Sequence, residues 1–241
     1  MNKEIFYNAP IGLYRGFLDN DESRQRVLND VLDYAAYIEY LSIKGCKNEE
    51  ERWNKVRENL SFTGGENETI RQRGENFWKQ HSKEPHFSLN SKIYWKFRDA
   101  YNSDEECVLL LAYLALKSIC GKKRWAKTTN AMWLSRIDGK NRPEWKTVKG
   151  EKQLQLSKPI AKYKTNYGVR RIRALLFECY GVSFYTKHVR GFCFSTTLGM
   201  NELLMAIRSE QSESKRLDDK LKAAMMAAEN TVNKEVKNVA I

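Results

Sequence analysis

A chain of 241 residues with 41% hydrophobic side chains can bury a real core in one large or two small domains, which excludes wholesale disorder. Its longest apolar run, Cys107 to Leu116, is about half of what a bilayer span requires, so no membrane segment is expected. The net charge is +12, and its distribution excludes an evenly mixed surface: Lys117 to Arg190 holds 19 Lys and Arg against four Asp and Glu, leaving the rest of the chain at −3. One sign concentrated in one segment is the footprint of a polyanion-binding face.

With only four prolines and thirteen glycines, the chain favours helices. Residues 1–20, with Ile5, Phe6, Tyr7, Ile11, Leu13, Tyr14, Phe17 and Leu18, read as an ordered arm packed on the body. Met1 to Tyr7 has no apolar signal core, which gives the expectation of a cytoplasmic protein. A helix is expected from about Glu22 to Ile43, where Val27, Leu28, Val31, Leu32, Ala35, Ile38 and Leu41 recur at helical spacing. Asp21 or Ser23 would cap it and Gly45 would stop it. Helices near 48–60 and 67–80 follow, anchored by Trp53 and Trp78 and separated by the turn Thr63-Gly64-Gly65. Pro85 marks a loop, and a further helix is expected near 90–101.

Ser103 and Glu106 have the spacing of a capping box, opening a buried helix that ends near Cys120-Gly121. Thr128, Thr129 and Asn130 are cap candidates for a short helix from Ala131 to Asp138, with Trp133, Leu134 and Ile137 as its apolar face. Residues 140–156 show no apolar period and read as an inserted loop. Ser157-Lys158-Pro159 starts another short helix. Thr165-Asn166-Tyr167-Gly168 reads as a turn, followed by an amphipathic helix from Val169 to Tyr180 with Ile172, Leu175, Leu176 and Cys179 facing inward. After Gly181 the period changes to two, and Val182 to Thr197 reads as a hairpin turning at His188 to Gly191. From Asn201 the chain returns to helix, with a polar gap at 209–214 and a weak stripe of Leu217, Leu221, Ala224 and Ala228.

The expected fold is therefore mainly α with one small β-hairpin: a helical subdomain over 1–102, a basic domain over 103–200 and a helical tail over 201–241. The five cysteines are odd in number and form no CxxC pair; Cys107, Cys120 and Cys179 are expected as buried thiols. The three histidines are scattered, and the chain holds no HExxH, GxSxG or P-loop pattern. No metal, no cofactor and no enzymatic activity are expected.

Residues 104–198 resemble the winged-helix family, a helix-turn-helix variant with a hairpin after its recognition helix. The resemblance rests on element order, with Thr129-Asn130-Ala131-Met132-Trp133-Leu134 as the second helix and Arg170-Arg171-Ile172-Arg173-Ala174-Leu175-Leu176 as the third. It departs from the family in the link between those helices, which holds about 28 residues where a tight turn is usual. The resemblance implies duplex DNA as partner, with Arg170, Arg171 and Arg173 at a major groove and Lys187 and Arg190 on the wing tip. Lys122, Lys123, Arg124 and Lys127 would contact phosphates, as would Lys140, Arg142, Lys146 and Lys149. Trp125 and Trp133 are read as core. Three functional classes stay open: duplex-DNA binding, RNA or single-strand binding, and a protein-interaction factor working through the N-terminal half. A homodimer through 201–241 is a further expectation.

Overall fold

In the computed structural model, residues 4–18, 24–99, 103–186 and 191–239 are described. Helices account for 63% of the chain, so the mainly α expectation holds. The β content is larger than one hairpin: the described residues form three small antiparallel sheets.

β1 (Phe6–Pro10) runs into a 3-10 helix (Ile11–Leu18) and pairs with β2 (His86–Asn90). These strands lie where the sequence suggested an arm and a loop. Tyr7 and Ala9 on β1, and Phe87 and Leu89 on β2, alternate inward, but runs this short are masked by neighbouring helical periods. α1 (Arg24–Ser42) packs closely on α3 (Asn67–His81), with α2 (Glu49–Leu60) beside it. The expected caps Asp21 and Ser23 lie outside the described residues. Trp53 is buried and stacks on Tyr40, whereas Trp78 is exposed: α3 packs inward through Ile70, Gly74 and the half-buried Phe77 instead. α4 (Ser91–Asp99) closes the N-terminal part.

α5 (Asp104–Cys120) opens with the expected capping box between Ser103 and Glu106. Ten of its residues are buried, because it packs on the 3-10 helix and β2 on one side and on α6 (Asn130–Ile137) and α8 (Asn166–Tyr180) on the other. The apolar cluster is continuous through it. Trp133 of α6 is fully buried, and its Nε1–H donates to the Ala112 carbonyl at 3.1 Å.

Further elements differ from expectation. Ala126–Thr128 forms β3, which pairs with β7 (Phe192–Ser195); β7 in turn pairs with β6 (Ser183–Tyr185), giving the order β3-β7-β6. Residues 140–156 are not a loop but carry β4 (Trp145–Val148) and β5 (Glu151–Leu154), a separate hairpin. Thr165 is not in a turn: it caps α8, its Oγ1 accepting the Gly168 N–H at 3.0 Å. α7 (Lys158–Ala161) precedes it. The polar gap at 209–214 does not interrupt the last helix, since α9 runs from Met200 to Val239. Its start is anchored: Leu198, Leu203 and Ile207 pack with Trp125, Tyr185 and Cys193 on the outer face of the sheet. No helix among the described residues is long and apolar enough to cross a membrane.

Candidate nucleic-acid interface

α8 is the best-defined element of the basic segment. Thr165 caps it, and Gly181, in the left-handed region at φ 65°, ends it by donating its N–H to the Phe177 and Leu176 carbonyls. Gly168 is required by packing: a Cβ there would lie 2.8 Å from the Tyr163 Cα. That close approach fixes α7 and its following loop against the first turn of α8. Val169, Ile172 and Leu176 bury one face. The opposite face presents Tyr167, Arg170, Ala174 and Phe177 to solvent, at three- and four-residue steps. Tyr167 is 74% exposed and Phe177 59%.

The three arginines expected to act together are separated by their environments. Arg170 is exposed and has no ion-pair partner among the described residues. Arg171 has an acidic partner that sequence spacing did not reveal: its guanidinium lies 2.8 Å from Glu105, 66 positions earlier at the start of α5. Arg173 points inward. Its guanidinium carbon lies 3.9 Å from the centroid of Phe192, with Nη2 donating to Asn130 Oδ1 at 2.7 Å and Nη1 donating to Thr186 Oγ1 at 3.4 Å. Burial without a carboxylate pulls its pKa down to about 10. Arg173 therefore joins α8, the start of α6 and the three-stranded sheet, and it is not offered to a ligand.

The lysines expected to contact phosphate divide similarly. Lys140 is spent on structure: it pairs with Glu144 at 2.8 Å and Asp138 at 3.6 Å and donates to the Gln155 carbonyl at 3.0 Å. Lys122, Lys123 and Arg124 are exposed on the turn after α5, which Ser195 ties down by donating to the Arg124 carbonyl. α5 has 17 residues, so that turn lies about 25 Å along the axis from the Glu105–Arg171 pair. Lys127 is exposed on β3, opposite Cys193, on the sheet face to which α9 docks. Arg142, Lys146 and Lys149 are exposed on and below the β4–β5 hairpin. Lys187 and Arg190, with His188, lie outside the described residues.

Spacing also missed contributors. Lys152, Lys158, Lys162 and Lys164, which lie in the basic segment outside any recognisable motif, are exposed. With Lys122, Lys123, Arg124, Lys127, Arg142, Lys146, Lys149 and Arg170 they make twelve exposed cations without an ion pair among the described residues. Trp145 is 55% exposed beside them. Trp125 is half-buried against the α9 contact, in keeping with a packing role. Cys107 and Cys120 are buried, and burial pushes both thiols up, the first to about 11. Cys179 is exposed instead, because it faces an unfilled groove between α4, α5 and α8, and Tyr180 takes the inner position by stacking on Tyr113. Among the described residues no group of three His, Cys, Asp or Glu side chains is placed to hold a metal.

No protein-family model, no curated protein and no solved structure matches this chain.

Proposed function

We propose that residues 104–198 form a winged helix that holds duplex DNA, with the outward stripe of α8 in the major groove. The observation that carries this reading is the set of twelve exposed cations, from Lys122 to Arg170, that lack a counter-carboxylate among the described residues. A protein surface without a polyanionic partner mixes its signs. The topology supports the same reading: α8 docks by one face on α5, the β3-β7-β6 sheet flanks it, and the opposite face is left to solvent. On that face Arg170 reaches phosphate or the guanine edge, and Phe177 offers apolar contact to a thymine methyl.

A second reading, single-strand binding, is favoured by the exposed Trp145 and Tyr167, since bases stack on aromatic faces beside a basic surface. Equilibrium binding of a labelled 30-bp duplex and of its separated strands distinguishes the two. Under the duplex reading the duplex binds more tightly. Arg170→Ala then weakens it about 5- to 150-fold, the equivalent of 1–3 kcal/mol for one good contact. Tighter binding of the single strands would replace it with the second reading.

A further inference from the structure

The β4–β5 hairpin is unusual in burying almost nothing beyond Leu154 at its stem. All four residues of β4 and three of the four in β5 are exposed, so beyond the stem both faces of this two-stranded sheet stand in water. A ribbon of this kind is marginal on its own. Here its stem is clamped. Asp138, almost fully buried, accepts the Ser157 N–H at 3.1 Å, the Gln155 N–H donates to the Glu144 carbonyl at 2.9 Å, and Lys140 bridges Glu144 and the Gln155 carbonyl. Trp145 pairs across the stem with Leu154. At the other end, Lys149 and Gly150 take left-handed conformations at φ 52° and 83°, the geometry of a tight two-residue hairpin turn. The molecule thus fixes the base of an arm and leaves its length free.

The register distributes charge over the arm. Lys146 lies opposite Gln153 on one face, Lys152 lies opposite Thr147 on the other, and Lys149 occupies the tip. Glu144 is already engaged by Lys140, leaving Glu151 as the one acidic side chain on the ribbon beyond the stem. The ribbon is about 10 Å thick with its side chains and reaches about 17 Å from stem to tip. A B-form major groove is about 12 Å wide and 8.5 Å deep and admits a two-stranded ribbon. Entered tip first, it sets a wall of phosphates against each face of the arm. The stem ends at Ser157, which begins α7, and α7 leads directly to the first turn of α8.

We infer that the β4–β5 hairpin is a second DNA-holding arm, which enters a groove of the same duplex beside the segment held by α8, with Lys146 and Lys152 on opposite phosphate walls and Lys149 at the tip. This rests on the duplex reading above and adds a contact element that the helix and wing do not supply. Lys146→Gln, Lys149→Asn and Lys152→Gln combined removes the charge while Asn keeps the left-handed turn position. All three side chains are exposed, so circular dichroism and melting temperature are expected to stay as in the wild type. On a 30-bp duplex the slope of log affinity against log salt is expected to fall by about 2.7, so the loss between 50 and 200 mM salt shrinks by about 40-fold. The occluded length per protein, from stoichiometric titration at low salt, is expected to shorten by about half a helical turn to a full turn, 5–10 bp. If the wild type binds duplex but either quantity is unchanged in the variant, the arm assignment is overturned and the α8 reading survives. If the wild type does not bind duplex at 50 mM salt, both are overturned.

Discussion

Arg170 and Arg173 lie one helical turn apart on α8, yet their environments are opposite, the first exposed and the second packed on Phe192. Arg173→Ala removes a guanidinium stacked on Phe192 and bonded to Asn130, and a loss of roughly 2–3 kcal/mol is expected from urea melts. Arg173→Lys is expected to recover little of it, because an ammonium lacks the planar stack and the fork of donors. Arg170→Ala is expected to change stability by less than about 0.5 kcal/mol, since the side chain is exposed and without an ion pair among the described residues. The sequence shows three arginines in one turn. It does not show that the sheet aromatics lie under one of them, or that Glu105 lies beside another, because both facts depend on contacts across many residues. Asp33 makes a separate residue-scale case. Burial raises its pKa to about 6, with Arg73 pulling down and Asp30 pushing up. The folded state then holds that proton more tightly than the unfolded chain, so stability is fully present below about pH 4, falls as pH rises to about 6, and is flat above. Asp33→Asn is expected to remove about 1–3 kcal/mol of that fall, read as the difference between melts at pH 4 and pH 7.

Among the elements, the long helices were legible from their spacing and caps. α2, α3, α5 and α6 lie within a residue or two of expectation: apolar periods mark all four, and side-chain caps at Asn48, Ser103 and Thr129 agree with them in α2, α5 and α6. The short strands were not legible. β1, β2 and β3 have three to five residues each and gain their partners from 80, 80 and 66 positions away or similar spans, which no local pattern encodes. β4 and β5 were missed for a different reason: a hairpin with both faces in water has no hydrophobic alternation to read. The left-handed Lys149-Gly150 turn was its one local signal. The α1–α3 contact rests on Gly74, where a Cβ would fall 2.4 Å from the Tyr37 Cβ and 2.6 Å from the Asp33 carbonyl oxygen. Gly74→Ala is therefore expected to force the helices apart and cost about 1–3 kcal/mol in the midpoint of chemical unfolding, despite the better helix propensity of alanine. An unchanged or raised midpoint would show that the two helices slide without strain.

For the whole molecule, charge and core divide the labour. The buried cluster runs from the N-terminal strand through α5 to the sheet, while the net positive charge lies in the segment that follows α5. That division was legible in composition alone, as a net of +15 between Lys117 and Arg190. Which of those cations are exposed and unpaired was not: Lys140, Arg171 and Arg173 are engaged by partners within the protein, whereas Lys152, Lys158, Lys162 and Lys164 are exposed without an ion pair among the described residues. The measurement that tests the central claim most directly is duplex affinity as a function of salt. If six to ten of the exposed cations meet phosphates, affinity falls about 10³- to 10⁵-fold between 50 and 200 mM salt. Affinity that stays flat over that range, or no duplex binding at 50 mM salt, would contradict the account.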